Sequence, residues 1–140
     1  DTFGLSYPNL HTPAGPFIFA TTTPVQFDPD QLLASIDRLM ALKPDHFYLT
    51  HYGRLDARQE LADQLRTSID DFVNIALQEK KTPNRVEVIA SRILDYLVAG
   101  LETMECNCSE DDCRNWLAMD AELNAQGLDV WLKRRDRNTA

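Results

Sequence analysis

From Asp56 onward apolar residues recur every three or four positions, whereas before Asp56 they come in short runs broken by prolines. In the second half, Leu61, Leu65, Ile69, Phe72, Val73, Ala76 and Leu77 trace one face of a helix that the pattern carries to about Lys81. Thr82 and Pro83 then offer an N-cap and a first-turn proline. The helix they open has a buried stripe of Val86, Ile89, Ile93, Tyr96, Leu97, Leu101 and Met104, with Gly100 marking a close packing contact. The stretch from Glu105 to Ser109 interrupts the pattern. Ser109, Glu110, Asp111 and Asp112 read as the cap and acidic first turn of a third helix, where the helix dipole favours negative charge. Trp116, Leu117, Leu123, Leu128, Trp131 and Leu132 form its apolar face. Gly127 is expected to bend that helix or end it early, since glycine in a helix interior costs about 1 kcal/mol relative to alanine.

In the first half, Pro8, Pro13, Pro16, Pro24, Pro29 and Pro44 leave room for a long helix only between the last two. Asp28 as N-cap, Pro29 at the first helical position and Gln31 in a capping-box place predict its start. Leu32, Leu33, Ile36, Leu39 and Met40 give its apolar stripe, and Lys43-Pro44 stops it. Phe17-Ile18-Phe19-Ala20 fits a brief strand or an extended loop packing its rings. Phe47 to Thr50 reads as a strand that delivers His51 at its end, with Gly53 two residues later. The pattern predicts a mostly helical α+β chain, in which residues 1–55 form a strand-and-loop part and residues 56–140 a three-helix extension.

With 140 residues the chain can bury one modest core. Its formal net charge of −8, with one dense basic cluster at Lys133-Arg134-Arg135-Asp136-Arg137, argues against nucleic acid as a partner. No apolar run approaches the roughly 20 residues needed to cross a bilayer, which argues against membrane insertion, and no secretory leader is visible. Cys106, Cys108 and Cys113 are an odd set in one short stretch, which speaks against a secreted disulfide framework and for reduced thiols in a cytoplasmic protein. A chain that opens on Asp1 rather than Met reads as a piece of a longer protein.

The motif Asp1-Thr2-Phe3-Gly4-Leu5-Ser6-Tyr7, followed some fifty residues later by Tyr48-Leu49-Thr50-His51-Tyr52-Gly53, resembles the second half of a metallo-β-lactamase-fold hydrolase. The resemblance covers about the first sixty residues. It implies that residues 1–55 are the C-terminal portion of an αβ/βα sandwich and that the helices are an extension of the kind some members carry. In that family an Asp bridges two metal ions and a late His at a strand end ligates one of them, which places Asp1 and His51 in those roles. The His-x-His-x-Asp-His loop that supplies further ligands does not occur in this sequence, so Asp1 and His51 would be two of about seven ligands and the isolated chain is expected to be inactive. The resemblance implies two divalent cations, zinc first and iron or manganese as alternatives, and cleavage of a small ester, thioester or amide. A glyoxalase-II-like thioester is the first expectation.

The residue types suit that chemistry on their own terms, because carboxylate and imidazole donors bind zinc and two cations about 3.5–4 Å apart activate a carbonyl toward water. The bland alternatives are a frayed terminal Asp1 and a hydrogen-bonded loop His51. His11 and His46 are read as loop residues, and Tyr52 and Arg54 sit beside the expected metal edge without an assigned role. Cys106, Cys108 and Cys113 lack a Cys-x-x-Cys pair and are read as incidental thiols in a helix connection. The competing functional class is a non-catalytic helical interaction or homodimerisation module built on residues 56–140.

Overall fold

The computed structural model describes residues 1–22 and 26–139; Pro24 lies outside the described residues. A 3-10 turn at Pro8–Leu10 is followed by α1 (Pro29–Ala41), β1 (His46–Leu49), β2 (Gly53–Asp56), α2 (Gln59–Gln78), α3 (Arg85–Thr103) and α4 (Glu110–Thr139). The fold is α+β and mostly helical, as the pattern predicts. Its one sheet among the described residues is the antiparallel β1–β2 hairpin.

Helix α1 begins as the capping signal requires: the Asp28 carboxylate accepts from the Gln31 backbone N–H at 3.0 Å, with Pro29 in the first turn. The strand expected at Phe47 to Thr50 starts one residue earlier and turns back on itself. Leu49 pairs with Gly53, so Thr50, His51 and Tyr52 form a tight loop, and His46, expected in a loop, opens β1 opposite Asp56. The returning strand is hard to see in the sequence because only Leu55 of its four residues is buried.

Helix α3 starts later than Thr82-Pro83 suggested. Thr82 is spent on closing α2, its amide donating to the Glu79 carbonyl at 3.0 Å and its hydroxyl to the Glu79 carboxylate at 2.6 Å. Asn84, in the left-handed region at φ 51, then turns the chain into Arg85. Arg85 donates to the Lys80 carbonyl at 2.8 Å and pairs with the mostly buried Asp129 of α4 at 2.7 Å. Burial pushes the Asp129 carboxyl up, but Lys133 and Arg85 together outweigh it and hold the group below its ordinary value. Asp95 of α3 meets Arg114 of α4 at 2.9 Å, so the two helices run antiparallel.

Helix α4 continues past Gly127. That glycine is buried between Asn124, Ala125, Leu128 and Asp129, all packed inside, so tertiary burial overrides its low propensity. Ser109 caps the helix as expected, accepting from the Asp112 amide at 3.1 Å while its hydroxyl donates to the Asp112 carboxylate.

One hydrophobic cluster runs from Phe3, Phe17 and Phe19 through Ile36 and Phe47 to the inner faces of α2, α3 and α4. Phe17 to Ala20 takes the extended-loop option, making a single antiparallel bridge in which Leu5 and Phe19 exchange both backbone bonds. Its other edge is met by helix side chains. The amides of Ile18, Ala20 and Thr22 donate to Gln64 Oε1 at 3.4 Å, Ser68 Oγ at 2.9 Å and Asn124 Oδ1 at 2.7 Å. Further along, Phe27 meets Trp131 edge-on at 6.1 Å, and Arg134 donates to the Phe27 carbonyl.

Two glycines allow close approach. At Gly100 a Cβ would lie 3.0 Å from the Phe17 ring, the contact its place in the α3 stripe suggests. Gly4 has φ +70, and a Cβ there would lie 2.5 Å from the Phe19 carbonyl oxygen, which is backbone and cannot step aside. Gly4→Ala is expected to lower unfolding free energy by about 2 kcal/mol or more, read as a fall in the urea midpoint. An unchanged midpoint would contradict this packing.

Candidate functional site

Asp1 is placed by a turn. The Gly4 amide donates to the Asp1 carbonyl at 3.1 Å, and the Thr21 hydroxyl reaches the same oxygen at 3.1 Å. Two residues on, the Phe3 ring stacks on Phe47 of β1 with centroids 3.8 Å apart, which fixes the N-terminal turn against the hairpin. The hairpin presents His51 at its tip, where Tyr52 (φ 72) and Gly53 (φ 104) reverse the chain. A tyrosine in the left-handed region is strained. Its ring is held by Tyr7, with centroids 4.6 Å apart.

These contacts bring His51 Nε2 to 3.8 Å from Asp1 Oδ2, although the residues are fifty positions apart. The separation is too long for a direct hydrogen bond. It is close to the roughly 3.4 Å expected between an oxygen and a nitrogen that share one tetrahedral zinc ion at bond lengths near 2.1 Å. The imidazole is half exposed, and the Asp1 side chain is the better buried of the two.

A third group comes from α4. Asp120 accepts a hydrogen bond from the Tyr7 hydroxyl at 2.7 Å, and its carboxylate also feels the charge of His51. Burial is the largest influence on Asp120 and raises its pKa, while the Tyr7 bond and His51 draw it back only in part. The Tyr7 hydroxyl is pushed well above the ordinary tyrosine range, first by burial and then by its bond to Asp120. It therefore keeps its proton as a donor. Asp1, Tyr7, His51, Tyr52, Asp120 and Asn124 line a cleft of about 220 Å³, with Met119 and Leu123 as its apolar wall. Both of these side chains are exposed, as is Trp116 one turn earlier on α4.

Asp1 and His51, singled out in the sequence, lie 3.8 Å apart in the fold, whereas the sequence gives Tyr7 and Asp120 no role. Their bond joins positions 113 apart, and Asp120 looks like any polar residue on a helix. The one available signal is that it lies a single turn before Asn124, on a stripe where a polar side chain must find a partner. Arg54 and Tyr52 both follow His51, but only Tyr52 lines the cleft. His11 ends the 3-10 turn near Ser6 Oγ at 3.5 Å, its pKa lowered by burial, and His46 pairs with Asp56 at 3.1 Å. Neither is part of the cleft.

Among the described residues no third imidazole, carboxylate or thiolate converges with Asp1 and His51 at ligand spacing. A larger apolar cleft of about 620 Å³ lies between residues 17–19, α2 and α3, with Glu60 and Asp63 on its wall and no imidazole or thiol. No helix among the described residues is long and apolar enough to cross a membrane. Comparisons of the chain with protein-family models, curated proteins and solved structures give no match.

The raised pKa of Asp120 has a sign. Above its ordinary value of 3.8 the folded state holds this proton more tightly than the unfolded state, so the stability contribution of the group falls as pH rises through that window. Asp120→Asn, which keeps an acceptor for Tyr7, should lose that part of the pH dependence and be at least as stable as the parent at pH 7. Urea unfolding of both proteins across the window checks it, and superimposable pH profiles would contradict it.

Proposed function

We propose that this chain supplies Asp1 and His51 as metal ligands in a metal-dependent hydrolase acting on a small ester, thioester or amide, as the C-terminal portion of a longer polypeptide. The observation that carries the reading is the approach of an imidazole to a carboxylate fifty residues away, at ligand spacing and without a hydrogen bond, on the wall of a cleft. The donor set fits zinc, with iron or manganese as alternatives, and two donors are too few for a stable site, so further ligands come from outside these residues. When bound, a pair of divalent cations would polarise a carbonyl and make water acidic enough to attack it at neutral pH.

The residues of this chain then do the rest. Asp1 is held by its own carbonyl contacts and His51 by the hairpin tip, so both ligands are oriented before metal arrives. Tyr7 fixes Asp120 and keeps a hydroxyl proton on the cleft wall. Met119 and Leu123 offer an apolar surface suited to the acyl part of a thioester. Free cysteines agree with a reducing compartment such as the cytoplasm.

The exposed row of Trp116, Met119 and Leu123 also supports a second reading, an interaction or homodimerisation module. Metal analysis of the intact parent polypeptide and its His51→Ala variant separates the two. The hydrolase reading expects bound divalent metal in the parent and the loss of at least one equivalent in the variant. A parent that purifies without metal, with the variant indistinguishable from it, would overturn that reading.

A further inference from the structure

Cys106, Cys108 and Cys113 look incidental in the sequence because their spacing matches no common zinc motif. In the fold they converge, with all three Sγ atoms within 4.8 Å of one another and no disulfide among them. Cys113 is buried and the other two are half-buried, so the cluster has one wall of protein and one open side.

The convergence follows from two capping motifs that fix the connection from Met104 to Ser109 at both ends. At the end of α3 the Cys106 amide donates to the Leu101 carbonyl and the Glu105 amide to the Glu102 carbonyl, each at 3.0 Å, which is a Schellman motif. Its left-handed position is taken by Glu105 at φ 58, where glycine is usual, so the turn is held against a local preference. At the other end Ser109 caps α4, and the Cys113 amide donates to the Ser109 carbonyl at 3.0 Å. Cys113 thus sits on the first turn of α4, facing back toward the connection that carries Cys106 and Cys108.

We propose that Cys106, Cys108 and Cys113 form a trithiolate site for a thiophilic divalent cation of the zinc type, which clips the end of α3 to the start of α4. Three thiolates around zinc at about 2.3 Å place their sulfurs roughly 3.8 Å apart, so the observed cluster needs to contract by no more than about 1 Å. No fourth protein donor joins the group among the described residues, which leaves the fourth position to solvent. Binding converts three S–H groups to thiolates and releases their three protons to water, with no change of oxidation state. Without a cation the Cys113 proton is firmly held: burial, followed by the two neighbouring sulfurs, pushes this thiol up to about 12. The adjacent acids Glu105, Glu110, Asp111 and Asp112 favour an arriving cation.

The site is independent of Asp1 and His51, and its test reads sulfur alone. Reduced protein titrated anaerobically with Co2+ should develop thiolate-to-metal charge-transfer absorption saturating at one equivalent, and Zn2+ should displace it. Cys106→Ser and Cys108→Ser, which alter half-buried positions, should each weaken Co2+ binding by at least about tenfold, since even outer-shell changes at metal sites cost that much. The band should persist in His51→Ala. Absence of the band, a band unchanged in either Ser variant, or its loss in His51→Ala would each overturn the proposal.

Discussion

The extended segment from Phe17 to Thr22 has a strand's backbone and almost no strand to pair with, and the way its amides are satisfied organises the rest of the molecule. One edge meets Leu5 in a single bridge. On the other, alternate amides at 18, 20 and 22 donate to side chains of Gln64, Ser68 and Asn124, so helices α2 and α4 stand where a neighbouring strand would stand. A buried backbone N–H left without a partner costs about 1–3 kcal/mol. Three such groups in a row would therefore rival the net stability of a small domain. Asn124 is the most fully used of the three: its Oδ1 accepts from the Thr22 amide, and its Nδ2 donates to the Asp120 carbonyl at 2.9 Å. The Thr22 hydroxyl lies within reach of both Asn124 oxygens.

The candidate site depends on that arrangement. Thr21, inside the held segment, donates to the Asp1 carbonyl, and the Leu5–Phe19 bridge fixes the turn from which Asp1 projects. Helix α4, which supplies Asn124, also supplies Asp120 one turn earlier, and Asp120 takes the Tyr7 hydroxyl. Tyr7 in turn supports Tyr52 beside His51. The cleft is thus assembled by side-chain contacts across great sequence distance, and Asp1 and His51 approach because the N-terminal turn and the hairpin tip are each anchored to helices.

Helical periodicity made α1 through α4 legible, together with the Asp28 and Ser109 caps and the close contact at Gly100, because those signals are local and repeat over many residues. The β1–β2 hairpin was half visible: Phe47 to Leu49 alternates and buries Phe47, whereas β2 exposes three of its four residues. Thr82 misled because its hydroxyl found Glu79 behind it, and Gly127 misled because burial outweighs propensity. For the site, Asp1 and His51 were suggested by their flanking residues. Tyr7–Asp120 and the meeting of Cys113 with Cys106 and Cys108 are products of tertiary folding that no spacing rule encodes.

Native-state hydrogen exchange at the Thr22 amide measures most directly whether α4 holds the segment that positions Asp1. Holding by Asn124 predicts a Thr22 amide protected far beyond a loop amide in the parent, with that protection lost in Asn124→Ala while amides in the middle of α3, such as Ile93, stay protected. A Thr22 amide that exchanges freely in the parent, or is equally protected in Asn124→Ala, would contradict it.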